Sequence, residues 1–176
     1  MKIRSIALGI FAGLAFTAFG QNNIDANQSK VSFEVSNMKV NTVEGQFTGM
    51  KGNVNVVNNQ IVSIDVCIDA ASVNTDNTKR DEHLRNEDFF EVEKYKEICF
   101  ISQKITKTED GFIANGTLEM HGVTKSVSIP LSLNNGVVTG KFSIDRYDFG
   151  VGSDGSFSVG REVELTINCV LTNKES

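Results

Sequence analysis

Strict alternation of apolar and polar residues is the feature that most constrains this chain. Runs such as SVSIPLSL at 126–133 and EVELTINCVL at 162–171 place an apolar side chain at almost every second position. Because successive side chains of a β-strand point to opposite faces, this period predicts strands with one buried face. Turn signals such as EDG at 109–111 and NNG at 134–136 separate the runs. The pattern predicts eight strands, at 30–37, 45–57, 61–71, 97–106, 112–121, 125–133, 137–147 and 161–171.

The connections between these strands predict how the sheet is arranged. Short connections favour antiparallel neighbours, and a single all-β domain protects its edges best by closing into a barrel. We therefore predict an all-β fold, a single antiparallel barrel of about eight strands with a short helical segment near 74–96. Counting strand directions puts the connections 38–44, 72–96, 121–125 and 148–160 at one end, where functional groups are expected.

The first twenty residues differ in character from the rest of the chain. Lys2 and Arg4 precede an apolar run that ends in small residues at Gly20, a pattern typical of a secretory signal peptide. We predict cleavage after Gly20, leaving residues 21–176 as one exported domain without a membrane-spanning segment. The formal charge is −5 for the whole chain and becomes more negative without the two basic residues, which argues against nucleic-acid binding.

The densest charge lies in NTDNTKRDEHLRNEDFF at 74–90, between two predicted strands. Thr78 with Asp81 three residues later predicts a helix N-terminus followed by about two turns. Charges of mixed sign usually form a solvated helix face, whereas catalysis would need a nucleophile, a base and an orienting group that converge. The residues that follow the helix can fold back over the barrel mouth: Phe89, Phe90, Val92 and Tyr95.

The two histidines do not predict a metal or catalytic site. His83 stands on the charged segment without convergent partners, and His121 ends a strand just before Gly122, which favours a turn. Histidine pairs and cysteine pairs with metal-site spacing are absent from the sequence. We therefore expect no metal, no cofactor and no catalytic residues. The glycine-rich stretch FGVGSDGSFSVG is interpreted as a flexible hairpin loop rather than a phosphate cradle.

Three cysteines lie in what is predicted to be an exported, disulfide-permissive domain. In the register that pairs Val66 with Phe100 across the long connection, Cys67 lies opposite Cys99 and both point outward. This predicts a cross-strand disulfide worth about 3 kcal/mol, with two free thiols as the alternative. Cys169 has inward parity and is expected to stay a buried thiol.

Three stretches together resemble the YceI-like family of exported bacterial polyisoprenoid-binding proteins: SVNTDNTKRDEHLRNEDFFEVEKY, GTLEMHGVTKSV and DRYDFGVG. The resemblance covers nearly all of the chain after the signal peptide. It implies an extended lipocalin-like barrel with a helix on the long connection. It also implies an isoprenoid or similar amphiphile inside the barrel and a location in a Gram-negative periplasm.

The residues alone leave the barrel interior open to two interpretations. An eight-stranded barrel is either filled by its own side chains or holds one small ligand. The absence of tryptophan leaves room for a tail, but a packed core would use the same residue types, and the family resemblance favours a cavity. The residues predicted to line it share inward parity: Phe33, Val35, Val66, Phe100, Met120, Ile129, Phe142, Ile144 and Ile167.

Arginines near the end of the barrel that carries the long connections are candidates for binding the head group of a ligand. Arg146 and Arg161 share the parity of inward residues, and Arg80 lies on the charged stretch 74–90. A guanidinium can bind phosphate or carboxylate through two parallel hydrogen bonds. The alternative is that Arg146 and Arg161 pair with protein acids such as Asp81, Asp148 or Glu162 and tie the loop down.

Together these observations predict a binding protein rather than an enzyme. Its partner would be an isoprenoid or other long-chain amphiphile, held with its tail in the barrel and its head group at the rim. Two alternatives are a filled barrel with a structural or interaction role and, less favoured, a lipid-modifying enzyme, which would need an acid–base pair in the mouth. The sequence leaves open whether the protein forms a homodimer.

Overall fold

The computed structural model describes residues 21–37, 41–152 and 159–172. The predicted signal peptide lies outside these ranges. Within them, ten strands and three short helical elements follow one another along the chain. They are β1 Gln21–Ile24, β2 Lys30–Asn37, β3 Asn41–Phe47, β4 Lys51–Val57, β5 Gln60–Asp69, a 3₁₀ helix Ala70–Ser72, α1 Thr78–Arg85, β6 Glu97–Lys107, β7 Phe112–Met120, β8 Val123–Asn134, β9 Val137–Asp145, a 3₁₀ helix Arg146–Phe149 and β10 Val159–Thr172.

The ten strands occupy eight positions in one closed antiparallel barrel. β10 pairs with β9 on one side and with both β2 and β1 on the other, so β1 and β2 form one interrupted strand. β3 and β4 form a second interrupted strand, which pairs with β2 and β1 in turn. The remaining strands follow in chain order from β4 to β10. The predicted eight-stranded antiparallel barrel is confirmed.

Three of the differences from the predicted strands have local reasons. The strand expected at 45–57 is broken between β3 and β4, where Gly49 has a left-handed φ of 69°. β1 was not predicted, because QNNI carries too few apolar residues to show alternation. The strand expected at 137–147 ends at Asp145, whose side chain accepts a hydrogen bond from the backbone of Tyr147 and starts a 3₁₀ helix.

One end of the barrel is closed by tight turns. Asn58 and Asn59 have φ of 50° and 58°, and Asn135 and Gly136 have φ of 50° and 76°. Positive φ at both central residues is what a two-residue hairpin with a type I′ turn requires, and asparagine and glycine adopt it at low cost. The turns predicted from sequence are therefore where the structure has them.

The opposite end carries two longer connections that close over the barrel. The covering segment is residues 70–96, which contain α1, and the rim segment is residues 146–152. The covering segment joins the sheet at one bridge, where Gln46 and Asn74 exchange backbone hydrogen bonds of 2.9 and 3.0 Å. No helix in the described ranges is long and apolar enough to cross a membrane.

Candidate functional site

A cavity of about 180 Å³ lies inside the barrel beneath the covering and rim segments. A cavity that holds a single water needs only about 10–15 Å³, so the side chains of the strands do not fill the interior. All nine residues that parity placed inside line this cavity: Phe33, Val35, Val66, Phe100, Met120, Ile129, Phe142, Ile144 and Ile167. The alternative of a filled barrel does not describe this interior.

The lining is apolar almost throughout. Arg146 is the one charged side chain among the described residues that line the cavity. Other strand residues of the same inward parity, which follow from the same alternation, also line the cavity. These are Val31, Leu118, Leu131, Val163 and Leu165. An amphiphile's tail is the kind of group that such a surface would remove from water.

The covering segment supplies part of the lining through Leu84, Phe89 and Phe90. The Phe90 ring meets that of Phe47 edge to face at a centroid distance of 5.2 Å, and the Phe89 ring meets His83 at 5.0 Å. Such edge-to-face contacts stabilise aromatic pairs beyond simple area burial. Phe89 and Phe90 fold over the barrel mouth as predicted, whereas Val92 and Tyr95 do not line the cavity.

The N-cap of helix α1 lies one residue before the predicted cap, Thr78. Asn77 is the N-cap, and its side chain accepts a hydrogen bond from the backbone N–H of Arg80. The predicted pair of Thr78 and Asp81 is therefore not the capping pair. The side chain of Asp81 turns back instead and accepts from the backbone N–H and hydroxyl of Thr75, at 2.9 and 2.5 Å.

The charged stretch ties α1 to the chain that precedes it. Arg80 donates to the hydroxyl and carbonyl oxygens of Thr75 at 2.7 Å. Arg85 donates to the carbonyls of Ala71 and Val73 at 2.8 and 2.7 Å. These bonds satisfy backbone oxygens that no strand or helix partner reaches. Arg80, Asp81 and Arg85 therefore have a structural role, but they bond to Thr75 and to backbone carbonyls rather than forming the predicted solvated face.

Arg146 is buried, with 5% of its surface exposed, at the rim end of the cavity. Its guanidinium donates to the carbonyls of Gly160, Val151 and Val159, at 2.8, 2.7 and 3.2 Å, and to the Tyr147 hydroxyl at 2.9 Å. None of the ion pairs among the described residues involves it. Arg146 thus points inward as predicted, but its partners here are neutral oxygens rather than a protein acid.

Arg161 does not point into the barrel, and that prediction is wrong. A register shift between Val159 and Val163 interrupts the alternation of β10. The side chain of Arg161 is 64% exposed and forms a 2.7 Å ion pair with Asp145. Partial burial opposes ionisation of Asp145, but hydrogen bonds from the Tyr147 backbone and Arg161 lower the pKa of its carboxyl below the usual value.

The structure therefore brings one of the three predicted head-group arginines to the cavity. Arg80 is held on Thr75 at the start of α1, and it does not line the cavity. Arg161 lies on the outer surface. Arg146 alone combines burial with a position in the cavity wall.

The pairing of the cysteines is the one that the register predicted, although Cys67, predicted to point outward, is among the residues that line the cavity. Val66 pairs with Phe100, Cys67 lies opposite Cys99, and a disulfide joins these two sulfurs. Glu97 lies beside them, but sulfurs in a disulfide are not thiolate ligands, so this cluster has no metal-binding chemistry. Cys169 is a free thiol in the cavity wall, and burial raises its pKa to about 11, although a hydrogen bond with Ser29 acts in the opposite direction.

His121 lies in the turn between β7 and β8 with a left-handed φ of 52°. Its Nδ1 atom is 3.2 Å from the carbonyl oxygen of Phe149, and its ring meets Tyr95 edge to face at 4.9 Å. It therefore packs against both segments that close the cavity. The sequence had indicated a turn residue at this position, which is confirmed, but gave no sign of these contacts.

Comparison with known proteins agrees with this architecture. The YceI-like domain family matches residues 23–171. A UPF0312 protein of Vibrio campbellii is 29% identical over 73% of this chain and 72% of its own length. A UPF0312 protein of Photorhabdus laumondii is 30% identical over 72% of this chain and 67% of its own.

Solved structures share the same fold. Burkholderia cenocepacia BcnA superposes with a TM-score of 0.76 at 25% identity, covering 85% of this chain and 99% of that one. A polyisoprenoid-binding domain from Saccharophagus degradans, implicated in plant cell wall breakdown, superposes with a TM-score of 0.67, covering 89% of this chain and 99% of that one. Its 16% identity shows likeness of fold alone.

Proposed function

The chain belongs to the YceI-like family, and from this and its cavity we propose that it is an exported protein that binds a long-chain amphiphile. The apolar cavity of about 180 Å³ is the observation that carries this proposal. A tail of isoprenoid or acyl type is the ligand class that such a lining suits. The binding of a polyisoprenoid by the structurally similar Saccharophagus degradans domain supports the same class.

The lining favours binding over catalysis. Acid–base chemistry needs titratable groups within hydrogen-bonding reach of a substrate. Arg146 is the charged group in the described lining, and its guanidinium N–H groups donate hydrogen bonds but cannot accept them. Cys169 is the other polar candidate, and with a pKa of about 11 its thiol carries almost no thiolate at neutral pH.

The energy of binding would come mainly from the tail. Each buried CH₂ group contributes roughly 0.8 kcal/mol, so an extended tail binds tightly without many polar contacts. The cavity is smaller than the roughly 300–1,000 Å³ of pockets that hold drug-sized ligands. A long tail would therefore need more room, which a movement of the covering segment with its lining residues Leu84, Phe89 and Phe90 would provide.

Arg146 is the residue that we propose binds the head group. Four hydrogen bonds to neutral oxygens occupy most of its five N–H groups but do not neutralise its charge. A buried cation attracts an anionic group that comes within reach, such as a phosphate or a carboxylate. The polar end of the ligand would then lie at the rim segment, with the tail among the strands below.

Export to the periplasm is part of the proposal. It rests on the signal-peptide pattern of the first twenty residues, and the Cys67–Cys99 disulfide supports it. Disulfides form and persist in oxidising compartments such as the bacterial periplasm. Fractionation of cells that express the full chain, followed by N-terminal sequencing of the product, tests both the location and the predicted cleavage after Gly20.

Mass spectrometry of lipids extracted from the protein, purified from the cell envelope, tests binding. Val66→Phe places a larger side chain in the cavity, whereas Val62→Phe changes an outward residue of the same strand that is 45% exposed. We expect wild type and Val62→Phe to carry a long-chain amphiphile in equal amount, and Val66→Phe to carry much less. Lipid-free wild type, or equal lipid in both variants, would contradict binding in this cavity.

A further inference from the structure

The ring of His121 lies where the covering segment, the rim segment and the turn between β7 and β8 meet. Nδ1 faces the carbonyl oxygen of Phe149 in the rim segment, and Nε2 lies 3.7 Å from a carboxylate oxygen of Glu91 in the covering segment. The histidine itself follows Met120, which lines the cavity. One side chain therefore contacts both connections that close the barrel.

The hydrogen bond at Nδ1 determines the chemistry at Nε2. A carbonyl oxygen only accepts, so Nδ1 carries the hydrogen, and in the neutral ring Nε2 is a bare acceptor. This Nε2 atom is buried and has no hydrogen-bond partner among the described residues. A buried acceptor without a donor destabilises the neutral form of this arrangement.

Protonation would remove this defect. A second ring proton gives Nε2 an N–H group on the side where Glu91 lies, and a carboxylate is the partner that a charged imidazolium binds best. The present 3.7 Å separation exceeds a hydrogen bond, so a small movement of the Glu91 side chain closes the contact. We propose that His121 is a protonation-dependent latch that fastens the covering segment to the rim.

The other groups around the ring are consistent with this role. On the covering segment, Lys94 lies 3.6 Å from Glu91, and the Tyr95 ring packs against the imidazole. Arg146 and Asp148 are the charged residues of the adjoining 3₁₀ helix, and Glu119 and Lys125 are those nearest along β7 and β8. Among the described residues, Glu91 alone forms an ion-pair contact with the histidine.

The backbone around the ring holds the two groups together. His121 and Glu91 have left-handed φ of 52° and 43°. Gly122 also has a positive φ, of 73°, and an added Cβ would lie 2.5 Å from the Tyr95 ring. This close approach depends on the missing side chain of Gly122, and it keeps the covering segment in contact with the turn.

The direction of the effect follows from linkage. The docked covering segment offers the protonated ring a carboxylate, so the docked state binds the proton more tightly than the undocked state. Docking is then strongest at acidic pH, where the ring is protonated, and weaker at alkaline pH, where the ring is neutral. Slower exchange of a bound amphiphile at acidic pH would follow, and this last consequence alone rests on the proposed function.

Amide hydrogen exchange of the ligand-free protein tests the latch without any lipid. The backbone amides of Phe90, Val92 and Tyr95 bond within the covering segment and report its opening. After correction for intrinsic exchange rates, we expect their protection to be roughly three- to fivefold higher at pH 5 than at pH 8, the range of a partly exposed ion pair. Equal protection at both pH values would overturn the proposal.

Three variants identify the group responsible. His121→Asn tolerates a left-handed φ and retains an N–H donor near the position of Nδ1 but does not titrate. Glu91→Gln removes the carboxylate charge, and His83→Asn removes the other histidine. We expect the first two to lose the pH dependence and the third to retain it. A pH dependence that survives Glu91→Gln, or disappears in His83→Asn, would refute the latch even if His121→Asn fails to fold.

Discussion

The strand wall of the cavity and the two segments that cover it are held by different interactions. The wall consists of paired strands whose inward side chains are apolar. The covering and rim segments contain three of the four buried polar side chains found among the described residues, Thr75, Asp81 and Arg146. The fourth, Ser29, lies in the break between β1 and β2. None of the four belongs to a strand.

This difference teaches where specific side chains matter in the fold. Apolar burial is non-directional and tolerates exchange of one apolar residue for another of similar volume. A connection at the barrel mouth lacks ladder partners for its backbone, so directional bonds from Asp81, Arg85 and Arg146 take their place. Substitutions in the strand wall should therefore change stability through side-chain volume. Substitutions in the covering and rim segments should change it through unsatisfied hydrogen bonds.

Removal of the disulfide should have the largest effect. Cys67 and Cys99 join the two wall strands on either side of the covering segment, 32 residues apart in sequence. The double variant Cys67→Ala/Cys99→Ala should lose about 3–4 kcal/mol of unfolding free energy, measured in urea, by the loop-entropy relation. Reduced wild type should lose a similar amount. Thiol counting by intact mass, on denatured and unreduced protein, should find one reactive thiol, and a count of three would contradict the bond.

Arg146 and Arg161 provide a matched pair inside and outside the cavity. Arg146→Met retains the bulk of the side chain but leaves the carbonyls of Gly160 and Val151 without their donor. We expect a loss of about 3 kcal/mol in unfolding free energy. Arg161→Met breaks an exposed ion pair and should cost at most about 0.5 kcal/mol. Equal losses of unfolding free energy in the two variants would show that the buried hydrogen bonds of Arg146 stabilise the fold no more than an exposed ion pair does.

Asp81 tests whether a single carboxylate positions the covering segment. Asp81→Ala leaves the backbone N–H and hydroxyl of Thr75 without an acceptor in a buried place. The expected loss is about 2 kcal/mol in urea unfolding, with faster hydrogen exchange in the covering segment than in β7. Glu82→Ala, at an exposed position of the same helix, is the control and should change stability little. An equal increase of hydrogen exchange in the strands and in the covering segment would contradict a separate role of Asp81 in positioning the covering segment.

Cys169 should make the wall sensitive to alkali. Its pKa is raised in the folded protein, to about 11, because burial disfavours the thiolate. The unfolded chain therefore releases its proton at lower pH, and the stabilisation is complete below the ordinary thiol pKa and lost as the pH rises toward 11. Between pH 8 and 10, wild type should lose about 1 kcal/mol more than Cys169→Ala. Parallel pH profiles of the two proteins would contradict this explanation.

The alternation of the sequence was sufficient to predict most of the wall. It placed nine lining residues correctly and predicted the β5–β6 register that brings Cys67 opposite Cys99. These successes share a cause, because the direction of a side chain in a regular strand depends only on its position along that strand. β1 escaped notice because a four-residue strand with one aliphatic side chain shows no period.

The partners of the polar residues could not be predicted in the same way. Asp81 turned out to bond with Thr75 rather than cap α1 with Thr78, and the cap itself is Asn77. The contact between His121 and the covering segment joins residues about thirty positions apart. Hydrogen bonds depend on distance and angle within tenths of an ångström, and sequence spacing does not supply such geometry across connections.

The sequence by itself determined most of the strands, their antiparallel order, most of the inward face and the disulfide partners, since each of these follows from local parity and short connections. Only the tertiary structure decided that the interior keeps a cavity, that Arg161 turns outward at a register shift in β10, and that Arg146 bonds to backbone carbonyls. The physical reason is that a void and a buried charge depend on how side chains from distant strands meet. A packed core and a ligand cavity are built from the same apolar residues, and the volume left between them is a property of the closed barrel alone.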